Sequence, residues 1–392
     1  MKLSAEKIQE YFKVFDKGVD RRNTDCVKWD CNLSIFGRED VLPYGVADTD
    51  FEVPSTVKKA MMERVEHGAF GYTIFGESYK KATADWMKIR HGVDVETEWV
   101  FFSPGVIDSL TMAVSAYTEP GDKIAMFTPV YGPFYSVINQ NECELCRCPL
   151  IKTENGWQID FNLLEEIFKK GVKIFMLCSP HNPVGRVWHR DELETIHELA
   201  VKYNVRVFSD EIHSDVILPG NKHIPWIDID PDGITLISAT KAFNIAGLRS
   251  SSAIIPNEDI RKKVTSEFDK FRIKGPNLMG LVAQRACYET GAEWLDALCM
   301  YLDENRKMFE EYMTSYLPEF GISTLEGTYL EWIDLSALGL DHDETRKWCA
   351  DKGVGLVSGT DFGDPEGLCH ARMNIATTRS NLEEGLKRLC SK

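Results

Sequence analysis

From Trp99 onward the chain alternates short apolar runs with segments whose apolar positions recur at helical spacing. "WVFFS" (99–103) leads into "IDSLTMAVSAYT" (107–118), and "KIAMFT" (123–128) leads into "YGPFYSVINQ" (131–140). "VKIFMLC" (172–178), "RDELETIHELAVKY" (190–203), "VRVFSD" (205–210) and "ITLISAT" (234–240) continue the series. Unbroken apolar runs of this length, separated by amphipathic helical stretches, are what a sheet covered on both faces requires. The pattern predicts an α/β layer built on a largely parallel sheet. After about Ala292 it changes to a long helical stretch, "EWLDALCMYLDENRKMFEEYMTSY" (293–316), and then to "TYLEWIDL" (328–335) and "ARMNIAT" (371–377). That shift predicts a second, smaller α+β unit. The division expected is a large domain over residues 48–287. The small domain takes residues 1–47 with 288–392, because chain ends often lie together.

At 392 residues, 43% of them hydrophobic, the chain can bury a sizeable core. Lys and Arg number 45 against 61 Asp and Glu, a net charge of −16 that repels phosphate backbones and argues against nucleic acid as partner. The opening "MKLSAEKIQEYFKVFD" lacks the apolar centre of a signal peptide, and no window approaches the roughly 20 apolar residues of a membrane span. Eleven scattered cysteines, an odd number, fit a reducing cytoplasm better than a disulfide framework. "CELCRC" (143–148) has the look of half a metal site. Its strand-like setting puts Cys146 and Cys148 on one face, and no second cluster answers it, so buried strand thiols and no metal are expected. The histidines of "HRDELETIHELA" (189–200) stand too far apart for a zinc pair on one helical face.

Ligands of parallel α/β sheets sit where the strands end at their carboxyl edge. After the successive apolar runs come a Pro-Gly turn opening a helix (Gly105, Val106, Ile107), Tyr131, Asn182, then Asp210 with His213, and finally Lys241 and Arg249. One amine, one acid, one amide, one aromatic ring and one helix N-terminus on one edge suit a flat, phosphorylated, electron-withdrawing cofactor.

The segments "GYT", "PVYGPF", "SPHNPVGRVW", "SDEIHSD", "TKAFNIAGL" and "EGTYLEWIDL" carry the chemistry one step further. From about Lys28 to its end the chain resembles the fold-type I pyridoxal 5'-phosphate enzymes of the aspartate aminotransferase superfamily. Within them it is most similar to the MalY/PatB class of cystathionine β-lyases, which includes the cystalysin-like C–S lyases. That resemblance implies a large domain with a mostly parallel seven-stranded sheet between helices, plus a small α+β domain. It implies that Lys241 is the amine that binds pyridoxal 5'-phosphate and shuttles the Cα proton, and that Asp210 pairs with the ring nitrogen. Asn182, stiffened by Pro183, donates to the ring oxygen; Tyr131 stacks on the ring; His213 stands near that oxygen or just behind it. Backbone N–H groups of Gly105, Val106 and Ile107, the hydroxyls of Ser238 and Thr240, and Arg249 receive the phosphate. Tyr72 reaches the phosphate from the other subunit of a homodimer, and Arg372 grips the substrate carboxylate. Val46 and Ala47 lie in a stretch that closes over the substrate, and the loop 358–363 lies near it.

The activity implied is C–S β-elimination from cystathionine- or cysteine-type amino acids to pyruvate, ammonia and a thiol. Amino transfer to a 2-oxo acid uses the same residues and stands as the alternative, and a regulatory binding role is a third reading. Four positions depart from the class: Asp108 beside the phosphate turn, the presence of Arg249, and glycine at Gly132 and Gly45 on the substrate side. These imply a pocket that is wider or retuned to another amino acid.

Overall fold

The computed structural model describes residues 3–154, 156–273 and 275–391. Seven strands form its main sheet: β1 (Val100–Ser103), β2 (Lys123–Thr128), β3 (Glu144–Pro149), β4 (Val172–Cys178), β5 (Arg206–Asp210), β6 (Ile234–Ile237) and β7 (Ser251–Ile254). Their order is β1-β7-β6-β5-β4-β2-β3. Strands β2 to β6 pair in parallel, and β7 runs antiparallel to both its neighbours. The sheet is therefore mixed, with one reversed strand that the apolar pattern does not reveal.

Both faces of the sheet are buried, for the reason the apolar runs indicate. Ile124, Met126, Ile174 and Met176 pack with Leu110, Ala113 and Val114 of helix Val106–Tyr117 on one face. Their strand neighbours Ala125, Phe127, Phe175 and Leu177 pack with Leu193, Ile196 and Ala200 of helix Arg190–Tyr203 on the other. Cys146 and Cys148 join this second cluster, as their place in a strand predicts.

Among the helices that flank the sheets are α1 (Ala5–Lys17), α2 (Val106–Tyr117), α3 (Arg190–Tyr203) and the 25-residue α4 (Ala292–Tyr316). Phe12 meets Tyr301 with ring centroids 5.2 Å apart, and Phe15 meets Trp294 at 5.4 Å, so α1 lies against α4. After α4 comes a second, antiparallel sheet of β8 (Gly321–Ile322), β9 (Leu330–Asp334), β10 (Val357–Ser358) and β11 (His370–Asn374), in the order β8-β9-β11-β10. Helix α5 (His342–Asp351) lies between β9 and β10 in sequence. No helix among the described residues is long and apolar enough to cross a membrane.

Candidate active site at the carboxyl edge of the large sheet

The edge is assembled by strand ends. Beyond β1, Gly105 caps α2 and leaves the first N–H groups of that helix pointing at the edge. Beyond β2, the Tyr131 N–H donates to Asn182 O at 3.1 Å, joining two of the loops. The loop after β4 closes on itself, with His181 N donating to Arg186 O and Gly185 N to His181 O, both at 2.8 Å. His181 is buried and its ring Nε2 lies 2.8 Å from Pro129 O. Burial lowers its pKa to about 4, so the ring is neutral and donates there. The imidazole thus fixes the loop, and the amide of Asn182 is left for chemistry.

Asp210 ends β5, and Lys241 follows β6 by four residues. Because β7 is reversed, its start lies at this same edge and brings Arg249 and Ser250 there. Ser238 Oγ donates to Ser250 O at 2.7 Å, which ties the lysine segment to the arginine segment.

A cavity of about 210 Å³ lies between these ends, lined by Gly105, Val106, Ile107, Tyr131, Asn182, Asp210, His213, Ser238, Thr240, Lys241 and Arg249. A second cavity, of about 470 Å³, shares Ala47, Tyr131 and Lys241 with the first and adds Val46 and Arg372. Every residue expected at the site from sequence reaches one of these two spaces except Tyr72, which stands fully exposed near Phe70 and Ile74.

The electrostatics follow from burial. Asp210 is 4% exposed and accepts one hydrogen bond, from Ile212 N at 3.0 Å. Desolvation raises its pKa to about 7, against the lowering effect of that hydrogen bond and of Lys241. Burial lowers the Lys241 amine to about 8, with Arg372 adding to the effect, and its Nζ donates to Ala47 O at 2.7 Å. His213 is held well below its usual range by burial, and its Nδ1 has no hydrogen-bond partner among the described residues. Arg372 is 4% exposed, donates to Asn182 Oδ1 at 3.1 Å and to Gly45 O at 2.8 Å, and keeps Nε unpartnered. Its guanidinium lies 4.7 Å from the centre of the Phe362 ring.

This donor set fits pyridoxal 5'-phosphate. A buried carboxylate and an imidazole nitrogen that, among the described residues, have no ion-pair and no hydrogen-bond partner respectively line one cavity with a helix N-terminus and a buried amine. A ring carrying a basic nitrogen, a phenolic oxygen, an aldehyde and a phosphate matches them group for group.

Several neighbours were not legible in the sequence. Residues 45–50 form a strap: Asn374 Nδ2 donates to Val46 O and Asp48 O at 2.6 Å, and the Tyr329 hydroxyl to Ala47 O at 3.1 Å. Arg21 grips Asp48 through two bonds of 2.7 Å, and the buried Lys28 lies 2.8 Å from Asp50. Such partners lie hundreds of residues apart or in loops without periodicity. Gly132 leaves no room for a side chain, whereas Gly45 lines the second cavity against the side chains of Val357 and Phe36. A Cβ at Gly132 would lie 2.6 Å from Asp361 O, and one at Gly45 would lie 3.2 Å from Val357 and 3.5 Å from Phe36. The loop 358–363 does face the second cavity, through Ser358 and Asp361.

Residues 39–389 match the family described as aminotransferase class I and II. The chain is 39% identical to the cystathionine beta-lyase PatB of Bacillus subtilis over 381 residues, covering 96% of this chain and 98% of that protein. A PLP-bound putative aminotransferase from Clostridium difficile superposes with a TM-score of 0.93 at 39% identity, covering 96% of this chain and 98% of that one. Cystalysin from Treponema denticola, solved with a pyridoxal 5'-phosphate cofactor, superposes with a TM-score of 0.92 at 36% identity, covering 96% and 97%.

Proposed function

The chain belongs to the class I and II aminotransferase family, and within it we propose that this protein is a pyridoxal 5'-phosphate-dependent carbon–sulfur β-lyase. Its substrates are cystathionine- and cysteine-type amino acids, cleaved to a thiol, pyruvate and ammonia. The observation that carries this reading is that the Lys241 amine lines both cavities, the one suited to the cofactor and the one holding Arg372.

When bound, pyridoxal phosphate supplies an aldehyde that takes up amines and a ring that draws electrons from the substrate's Cα. Asp210 would hold a proton against the ring nitrogen and so keep the ring electron-poor. Asn182 Oδ1 is committed to Arg372, so its Nδ2 would be the donor offered to the ring oxygen. Tyr131 covers one ring face. Gly105, Val106 and Ile107 offer backbone donors to the phosphate, joined by Ser238, Thr240 and Arg249. Arg372 takes the substrate carboxylate on its free donors and fixes Cα beside Lys241. The Lys241 amine, lowered by burial in the cofactor-free chain, would take the Cα proton. The Cβ–S bond then breaks with the electron pair leaving on sulfur, and the remaining enamine hydrolyses to pyruvate and ammonia. Val46 and Ala47 hold water away from the reacting carbon.

The protein works as a homodimer in this reading. Tyr72, exposed with Phe70 and Ile74, contributes its hydroxyl to the phosphate of the partner subunit. Residues 48–287 form the cofactor-binding unit and residues 1–47 with 288–392 the smaller one. The eleven unpaired cysteines support a place in a reducing cytoplasm.

The test is product analysis on the cofactor-loaded enzyme. Pyruvate and ammonia appear from cystathionine without any 2-oxo acid present. Strict dependence on a 2-oxo acid acceptor would instead assign the protein to amino transfer.

A further inference from the structure

Residues 210–215 carry two sets of polar side chains. Asp210 and His213 line the cofactor cavity, and little holds them there. Among the described residues the Asp210 carboxylate accepts only from Ile212 N, and His213 Nδ1 has no hydrogen-bond partner. Glu211 and Asp215 lie outside that cavity and are richly bonded. Glu211 is 1% exposed and accepts from three donors: Ser209 Oγ at 2.9 Å, Trp226 N at 2.7 Å and His223 Nε2 at 2.9 Å. Asp215 accepts from Trp86 Nε1 at 3.0 Å and His91 Nε2 at 3.1 Å. The two imidazoles meet edge to face, with ring centroids 5.4 Å apart. They line a separate cavity of about 350 Å³ that shares no residue with the first. Two buried carboxylates and two buried imidazoles thus stand beside the site, and no step of the reaction uses them. Apolar side chains would fill the same space without the cost of desolvating them. What the polar set adds is direction.

We propose that Glu211, Asp215, His223 and His91 are positioning residues, a bracket that aims Asp210 and His213 at the ring of pyridoxal phosphate. The link is covalent and short. Glu211 follows Asp210 directly, its N–H donates to Leu236 O on β6 at 2.8 Å, and Ser214 N donates to Glu211 O at 2.9 Å. A shift at residue 211 therefore carries both of its neighbours with it. A carboxylate with one hydrogen bond of its own keeps its aim through the backbone, and the bracket fixes that backbone on either side of His213. The inference rests on the cofactor in the proposed function and is indifferent to which substrate bond breaks.

The test compares wild type with His223→Ala and His223→Gln, reading the dissociation constant of pyridoxal phosphate by equilibrium dialysis and the absorbance of the bound cofactor. In His223→Ala the constant rises about tenfold, the size expected for one lost charge-assisted hydrogen bond, and the absorbance maximum moves because the acid no longer meets the ring nitrogen squarely. His223→Gln keeps a donor for Glu211 and restores most of both. Melts of the cofactor-stripped proteins run alongside. A lower melting temperature with unchanged constant and absorbance would make the imidazole a structural support only and overturn the proposal. Equal losses in the two variants would overturn it as well, since ring bulk would then be the cause. If His223→Ala does not fold, Glu211→Gln, of the same shape, is read by the same criterion. Cofactor uptake by wild type without release of pyruvate would remove the lyase reading and leave the bracket standing.

Discussion

Asn182 Oδ1 accepts a hydrogen bond from Arg372 Nη1 at 3.1 Å, joining the loop after β4 to strand β11 across 190 residues. The amide that lines the first cavity and the guanidinium that lines the second hold each other in place. In Asn182→Ala a buried guanidinium loses an acceptor and the ring oxygen loses its donor. Both the dissociation constant for pyridoxal phosphate and KM for cystathionine rise about tenfold. Cofactor titration and steady-state kinetics on the same preparation check this. A change in only one of the two would show that the bond does not couple them.

Asp210 gives a pH dependence with a definite sign. Its carboxyl titrates near 3.8 when exposed and about 7 in the folded protein, because burial disfavours the charge. Between those values the folded cofactor-free chain keeps a proton that the unfolded chain has lost, so this group's contribution to stability falls as pH rises. Asp210→Asn carries no charge to bury. Without cofactor it gains over wild type, by an amount on the order of 4 kcal/mol at pH 8 and little at pH 4. With cofactor it loses, since the ring nitrogen has no acid to meet, and turnover falls at least about a hundredfold. Thermal melts of stripped protein at the two pH values decide it; an equal gap at both would refute the buried, unpaired carboxylate.

Asp108 stands at the phosphate turn with Oδ2 3.0 Å from Arg249 Nη2, and both line the cofactor cavity. An acid there competes with phosphate for the arginine and repels it. Asp108→Asn tightens cofactor binding about threefold, a modest effect because both side chains are well solvated. Equilibrium dialysis measures it. Weaker binding would mean that Asp108 is needed to aim Arg249.

Lys28 is buried against Asp50, whose other oxygen accepts from Trp29 Nε1 at 2.9 Å. These contacts anchor the strap that covers Lys241. Lys28→Met leaves the buried Asp50 only the longer ion pair with Arg21, at 3.4 Å, and the Trp29 donor, and costs about 1–3 kcal/mol of stability. Adding Asp50→Leu recovers part of that loss. Denaturant melts read both, and no recovery in the double variant would rule out the charge as the cause.

The local part of the site was legible because the chemistry follows each strand directly. The runs ending at Cys178, Asp210 and Ile237 announce Asn182, Asp210 and Lys241 by proximity in sequence. Helix α3 covers the residues that its apolar period predicts. The reversal of β7 was not legible, since a short buried strand carries no mark of its direction, and only pairing with β1 and β6 on both sides sets its sense. The strap and its anchors were hidden for another reason. Arg21, Lys28, Tyr329 and Asn374 act through contacts that no periodicity encodes. The glycine at 132 misled because a missing side chain says nothing about what fills its place.

At Gly132 that filler is main chain, the carbonyl of Asp361. The two sites are therefore locked in descent: no side chain can drift into position 132 unless the turn at 359–362 is rerouted in the same step. Anyone re-engineering the substrate side would have to move the pair together.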